Sequence, residues 1–219
     1  MKRIALVSVT LNAVNPMTNY LSKDPDIHVV NYLDSAILEI DRREGHVTDA
    51  CMRRMVTMLA HACEDGADGI IITCTIFSAY VEQFRKMFHV PIVAADVAMM
   101  EQAGQCGGKT ALVCTFEGTK VISENLLRSF CEASGKPYEI VPFVLKDAYE
   151  AAQQFQMDTH DRIIREKVIE LDEQFDQIVL AQISMSNAVL GMELHHAKLF
   201  TSPSAACARL MQELGGSAK

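Results

Sequence analysis

The sequence predicts an α/β protein of two similar lobes built on mainly parallel sheets. Three observations predict it. The 219 residues are 49% hydrophobic, enough to bury a sizeable core; short apolar runs alternate with amphipathic segments; and several of these units recur in the same order later in the chain.

The apolar runs give the strands. Ile4 to Val9 is the first, followed by Ile27 to Tyr32, Gly69 to Thr73 and Pro91 to Ala95, then Lys109 to Cys114, Tyr138 to Val144, Gln177 to Ala181 and Ala197 to Thr201. Helical periodicity predicts helices over Thr48 to Glu64, Phe77 to Phe88, Val97 to Gly104, Thr119 to Ser134, Thr159 to Glu173 and Ser204 to Leu214. Met1-Lys2-Arg3 before Ile4-Ala5-Leu6-Val7 imitates a signal peptide. Ser8, Thr10 and Asn12 interrupt its apolar stretch, however, and no small-residue cleavage site follows, so the segment is taken as a strand.

The repeat is visible residue by residue. Ala5-Leu6-Val7 returns as Ala111-Leu112-Val113, and Asp68-Gly69-Ile70-Ile71-Ile72 lines up with Asp176-Gln177-Ile178-Val179-Leu180. Continuing that register aligns Pro91-Ile92-Val93 with Leu199-Phe200-Thr201. Two such halves would form a cleft from the carboxyl ends of their strands, where ligands sit in open α/β sheets.

Composition excludes several functions. With 20 Lys and Arg against 28 Asp and Glu the formal charge is −8, which disfavours nucleic acid or an anionic membrane as partner. The longest apolar runs fall far short of the roughly 20 residues that cross a bilayer. Seven cysteines, an odd number with no CxxC pair, argue against zinc or iron-sulfur frameworks and for free thiols in a reducing cytoplasm. No metal ligand set is expected.

Several motifs mislead. Gly108-Lys109-Thr110 imitates the end of a phosphate-binding loop, but the motif needs glycine where Ala103 stands, and this segment leads into a strand. GxGxxG and GxSxG are both absent. His195-His196 lacks a surrounding ligand pattern and reads as structural or solvated.

Thr73-Cys74-Thr75-Ile76-Phe77-Ser78 remains. It brings a thiol between two threonines to the point where a buried strand turns into a helix expected to begin near Phe77 or Ser78. The positive end of a helix favours thiolate, while turn N–H groups and the hydroxyls of Thr75 and Ser78 could bind a carboxylate. A buried structural cysteine with Ser78 as a helix cap is the plainer alternative. Cys114 also ends a strand, but its apolar run suits a core role.

The repeated halves resemble the aspartate/glutamate/hydantoin racemase superfamily. The segments that carry the likeness are the strand ending in Cys74-Thr75, the strand Val90-Pro91-Ile92-Val93, the turn from Ala111-Leu112-Val113-Cys114-Thr115 to Gly118-Thr119, and Ile178-Val179-Leu180-Ala181. The resemblance implies a cofactor-independent enzyme, a homodimer or higher homo-oligomer, acting on a small carboxylate between two lobes. The expected lobes are residues 1–97, completed by a C-terminal helix at 204–219, and residues 98–203. One cysteine from each half is implied to face opposite sides of a substrate carbon, one removing a proton and the other returning one.

Here the register carries Cys74 onto Gln182, in Leu180-Ala181-Gln182-Ile183-Ser184. Glutamine can donate a hydrogen bond but cannot trade protons near neutral pH. Three readings stand: a racemase or epimerase with another proton carrier, a single-cysteine decarboxylase of malonate-type acids, and a carboxylate-binding protein without turnover. The single cysteine of those decarboxylases lies in the second half, whereas Cys74 lies in the first. Cys74 is the expected proton-transfer thiol; Thr10, Asn12, Thr75, Thr115, Thr119, Gln182 and Ser184 are the expected substrate-binding residues.

Overall fold

The computed structural model describes residues 1–216, so the last three residues of the expected segment 204–219 lie outside it. The chain divides into two compact units. The first is Met1–Ala98 with a C-terminal segment beginning at Pro203, and the second is Met99–Ser202.

The first unit contains β1 (Lys2–Ser8), α1 (Leu11–Leu21), β2 (Ile27–Leu33), α2 (Ala36–Glu44), α3 (Asp49–Glu64) and β3 (Gly69–Ile72). A 3-10 turn over Thr75–Tyr80, α4 (Val81–Met87) and β4 (Ile92–Ala94) follow. The chain enters the second unit within α5 (Ala95–Cys106). That unit holds β5 (Gly108–Cys114), α6 (Glu117–Ser134), β6 (Tyr138–Val144), α7 (Lys146–Gln153), α8 (Met157–Leu171) and β7 (Gln177–Leu180). It continues with a 3-10 turn over Ile183–Val189 and β8 (Lys198–Phe200), and α9 (Ser202–Gly216) returns the chain to the first unit.

Each unit has one four-stranded sheet, ordered β2-β1-β3-β4 in the first and β6-β5-β7-β8 in the second, with every pairing parallel. The central strands read as continuous apolar runs because helices cover both faces; Gly69–Ile72 and Gln177–Leu180 are buried throughout. The α3 helix presents Cys51, Met55, Met58, Leu59 and Ala62 to the first core, and Thr48 caps it by accepting from the Cys51 N–H. In the second unit α8 buries Ile164, Val168 and Leu171 at helical spacing.

The duplication extends to individual hydrogen bonds. Asp68 accepts from the Arg3 N–H at 2.7 Å and returns its own N–H to the Arg3 carbonyl; Asp176 does the same with Lys109 at 2.6 Å. Beyond the strands, Thr73 N–H reaches the Val7 carbonyl and Ala181 N–H the Val113 carbonyl.

At one place the register differs from the sequence alignment. Ile70 pairs with Ile92 and Ile178 with Leu199, so Ile92 corresponds to Leu199 and not to Phe200. The loop before β8 is shorter by a residue, which sequence similarity between short apolar strands could not register.

Three helices lacked a sequence reading. Pro16 sits inside α1, whose buried face is Ala13, Pro16, Met17 and Leu21. Its ring removes the N–H that would bond the Asn12 carbonyl, and a proline there reads as a breaker. The α2 helix buries only Ile37 before Gly45 ends it with φ 77°, and α7 packs through the small residues Ala148, Ala151 and Ala152. None of these makes a strong apolar stripe. Among the described residues, no helix is long and apolar enough to cross a membrane.

Candidate active site

The two units end their third strands alike. Cys74 precedes the 3-10 turn Thr75–Tyr80 with φ −115° and ψ 119°; Gln182 precedes the turn Ile183–Val189 with φ −121° and ψ 138°. Phe77 N–H donates to the Cys74 carbonyl at 3.2 Å, and Met185 N–H to the Gln182 carbonyl at 3.1 Å. Position and backbone therefore match. The side chains do not.

Cys74 is half-buried, packed beside the first core with Ile76, Tyr80 and Val97. Burial pushes its thiol up to about 12; the Ile76 N–H pulls it partly down, and the charges of Asp96 and Asp41 push it further up. The expected thiolate at a helix N-terminus is thus corrected. The α-helix starts only at Val81, after six residues of 3-10 turn, and a helix dipole fades within its first turn. Desolvation and two acids prevail, so the sulfur rests as a thiol.

The hydroxyls beside Cys74 already have a carboxylate partner. Ser78 Oγ lies 2.7 Å from each oxygen of Asp96, and the Thr75 side chain also bonds Asp96. Asp96 is only 5% exposed, in the first turn of α5 just past β4. Burial raises its pKa, while these donors and the Val97 N–H oppose the rise. Beneath this turn, the Thr73 hydroxyl donates to Ser8 at 2.8 Å. Sequence reasoning missed Asp96; the one signal was an acid directly after an apolar strand, a pattern common to ordinary helix starts.

In the second unit the structure joins two expected residues. Thr115 donates to Gln182 Oε1 through its N–H at 2.6 Å and its hydroxyl at 3.0 Å. A backbone N–H can only donate, so the amide oxygen must face it and the Nε2 group is left as a donor on the other side. Cys114, in the place Ser8 holds in the first unit, is fully buried, and its thiol is pushed up to about 12 mainly by burial.

The remaining expected residues are more dispersed. Thr10 takes the N-cap position of α1 without a side-chain cap bond, and Asn12 lies on that helix and not in a turn. Thr119 is half-buried in the first turn of α6, and Ser184 is half-buried on the turn after Gln182. Among the described residues these four share no side-chain hydrogen bond with the Cys74 or Gln182 clusters.

The misleading motifs find structural explanations. Gly108 has φ 84°, and a Cβ there would lie 2.6 Å from Asp176 Oδ2, so glycine is what lets Asp176 reach the Lys109 N–H. The N–H groups of His195, His196 and Ala197 all donate to Asp172, which lowers that carboxylate's pKa; this stretch is a pinned loop. Among the described residues no group of three or more His, Cys, Asp or Glu could hold a metal ion.

A family model described as Asp/Glu/Hydantoin racemase matches residues 7–210. Among solved structures, an aspartate racemase from Picrophilus torridus superposes with TM-score 0.72 at 15% identity, covering 98% of this chain and 95% of its own. An allantoin racemase from Klebsiella pneumoniae gives 0.71 at 14%, covering 99% and 89%. A glutamate racemase from Bacillus anthracis gives 0.70 at 10%, covering 99% and 83%. At such identities these likenesses speak for the fold. No curated protein matches the chain by sequence.

Proposed function

The chain belongs to the Asp/Glu/hydantoin racemase family, and we propose that it is a cofactor-independent racemase or epimerase whose proton-transfer thiol is Cys74. Its substrate is a small acid with a C–H beside a carboxylate or carbonyl, of the kind represented by aspartate, glutamate and allantoin. The observation that carries this reading is the thiol at the carboxyl end of β3, half-exposed and followed directly by a hydroxyl-bearing turn.

Because the sulfur rests protonated, its forward step is donation: the S–H bond breaks, the proton passes to the substrate carbanion, and a thiolate remains. The reverse step takes a proton from the C–H and restores the thiol. Gln182 supplies no proton. With its oxygen held by Thr115, its Nε2 group donates a hydrogen bond to the substrate carboxylate or to the enolate-like oxygen that develops next to the carbanion. Thr10, Asn12, Thr119 and Ser184 complete the carboxylate-binding set, while Thr75 and Thr115, whose hydroxyls are donated to Asp96 and Gln182, hold those side chains in place. Proton transfer on the opposite face falls to a second carrier, a histidine or a bound water.

That fixed amide also favours a second reading. If the carbanion forms by loss of carbon dioxide, one proton donor on one face suffices, and the enzyme is a decarboxylase of malonate-type acids. Incubation in deuterated water with a panel of small acids separates the two. Deuterium incorporation with inversion supports the racemase; gas release supports the decarboxylase; binding without either overturns both.

A further inference from the structure

We propose that Asp96 is a positioning residue for Cys74, anchoring the turn that carries the thiol and restraining the reactivity of its sulfur. The inference rests on the proton-transfer role given to Cys74, but its test does not depend on turnover.

The geometry ties Asp96 to that turn at two points. Thr75 and Ser78, the first and fourth residues after Cys74, both hydrogen-bond its carboxylate, Ser78 with contacts of 2.7 Å to each oxygen. The Val97 N–H holds Oδ1 at 3.0 Å, which secures the carboxylate to the start of α5. The turn behind β3 is thereby pinned to the end of the neighbouring strand β4.

A helix start does not need a charge for this. Serine or asparagine caps as well as aspartate, and burying a carboxylate costs more than burying either. The negative charge therefore has an effect that capping alone leaves unexplained: it opposes ionisation of the neighbouring sulfur. Two acids act on Cys74 in this way, Asp96 from α5 and Asp41 from α2. Asp96 is the one that also holds the turn. A thiol kept neutral is matched to protonating a carbanion.

The test is alkylation of the folded, full-length protein by iodoacetamide at pH 9, with Cys74 and Cys114 followed separately by peptide mass spectrometry. In Asp96→Asn, the hydrogen-bonding shape is kept and the charge is gone. Loss of that charge lowers the Cys74 pKa and raises the thiolate fraction at pH 9, and after the lower nucleophilicity of the thiolate is allowed for, Cys74 alkylation should rise about threefold. Cys114, at the end of β5, should keep its wild-type rate. Asp96→Ser, a neutral cap of different shape, provides the same readout should the asparagine variant fail to fold. Unchanged Cys74 alkylation in a folded variant, or equal rises at Cys74 and Cys114, would overturn the proposal. Full turnover in Cys74→Ala would instead overturn the proton-transfer reading and leave the alkylation result intact.

Discussion

At the end of β3 the chain runs through Thr73, Cys74 and Thr75; at the end of β7 it runs through Ala181, Gln182 and Ile183. Both stretches make the same backbone hydrogen bonds and enter the same kind of turn. Beneath the first lies the Ser8–Thr73 hydroxyl pair and beside it Asp96, whereas the second stands over buried Cys114 and is clasped by Thr115. The difference teaches that the repeated backbone supplies two equivalent platforms, and that side chains alone set them apart: a thiol beside a buried carboxylate on one, an amide oriented by a threonine on the other.

The largest effect should come from removing the sulfur. Cys74→Ala should lower deuterium exchange into substrate by about a hundredfold to ten thousandfold, the usual range for losing a general acid, while circular dichroism shows an intact fold. Loss of exchange from Cys114→Ala, with Cys74→Ala unaffected, would reverse the assignment of the two turns.

Gln182→Ala is the counterpart in the second unit. It leaves the buried Thr115 donors without the amide oxygen, so stability should fall by about 1–3 kcal/mol in denaturant titration. Substrate binding should weaken as well, since the Nε2 donor is lost. Gln182→Cys makes the two turns alike and sharpens the comparison: inversion should rise relative to any one-sided protonation, as chiral analysis of the product would register.

Smaller effects follow where the units are equal. Asp68→Ala and Asp176→Ala each remove a charged acceptor from one backbone N–H at an exposed strand end, and each should cost about 0.5–1.5 kcal/mol by chemical denaturation. Clearly unequal losses would mean that the two anchors are not energetic equivalents.

The smallest effect is a pH dependence. Cys114 is protonated in the folded protein to about 12, above the ordinary 9 of an unfolded cysteine, so the folded state binds the proton more tightly. Its stabilising contribution is complete below pH 9 and is lost as pH rises toward 12. Cys74 acts with the same sign. Urea titrations between pH 8 and 10.5 should show declining stability, with a shallower decline in Cys114→Ala.

Much of the architecture was legible because a strand buried on both faces must be apolar along its length. The eight runs read as strands all form strands, and α3, α5, α6, α8 and α9 stand where helical spacing predicted them. The α1 helix escaped notice because Pro16 contradicts it locally, and tertiary packing of Met17 and Leu21 outweighs that local cost. Cys74 could be singled out from its place after a strand. Its protonation state was misjudged because the turn before Val81 is 3-10, and because Asp41 and Asp96 lie on other elements.

By itself, then, the sequence determined the strands, their duplication and the placing of Gln182 at the strand end that answers to Cys74, all of which depend on local periodicity and residue identity. Only the tertiary structure decided that Thr115 orients the Gln182 amide, that Asp96 holds the Cys74 turn, and that the thiol rests neutral. Hydrogen bonds and electric fields act through space within a few ångströms, and the groups that exert them here come together only when parallel strands far apart in the chain are laid side by side.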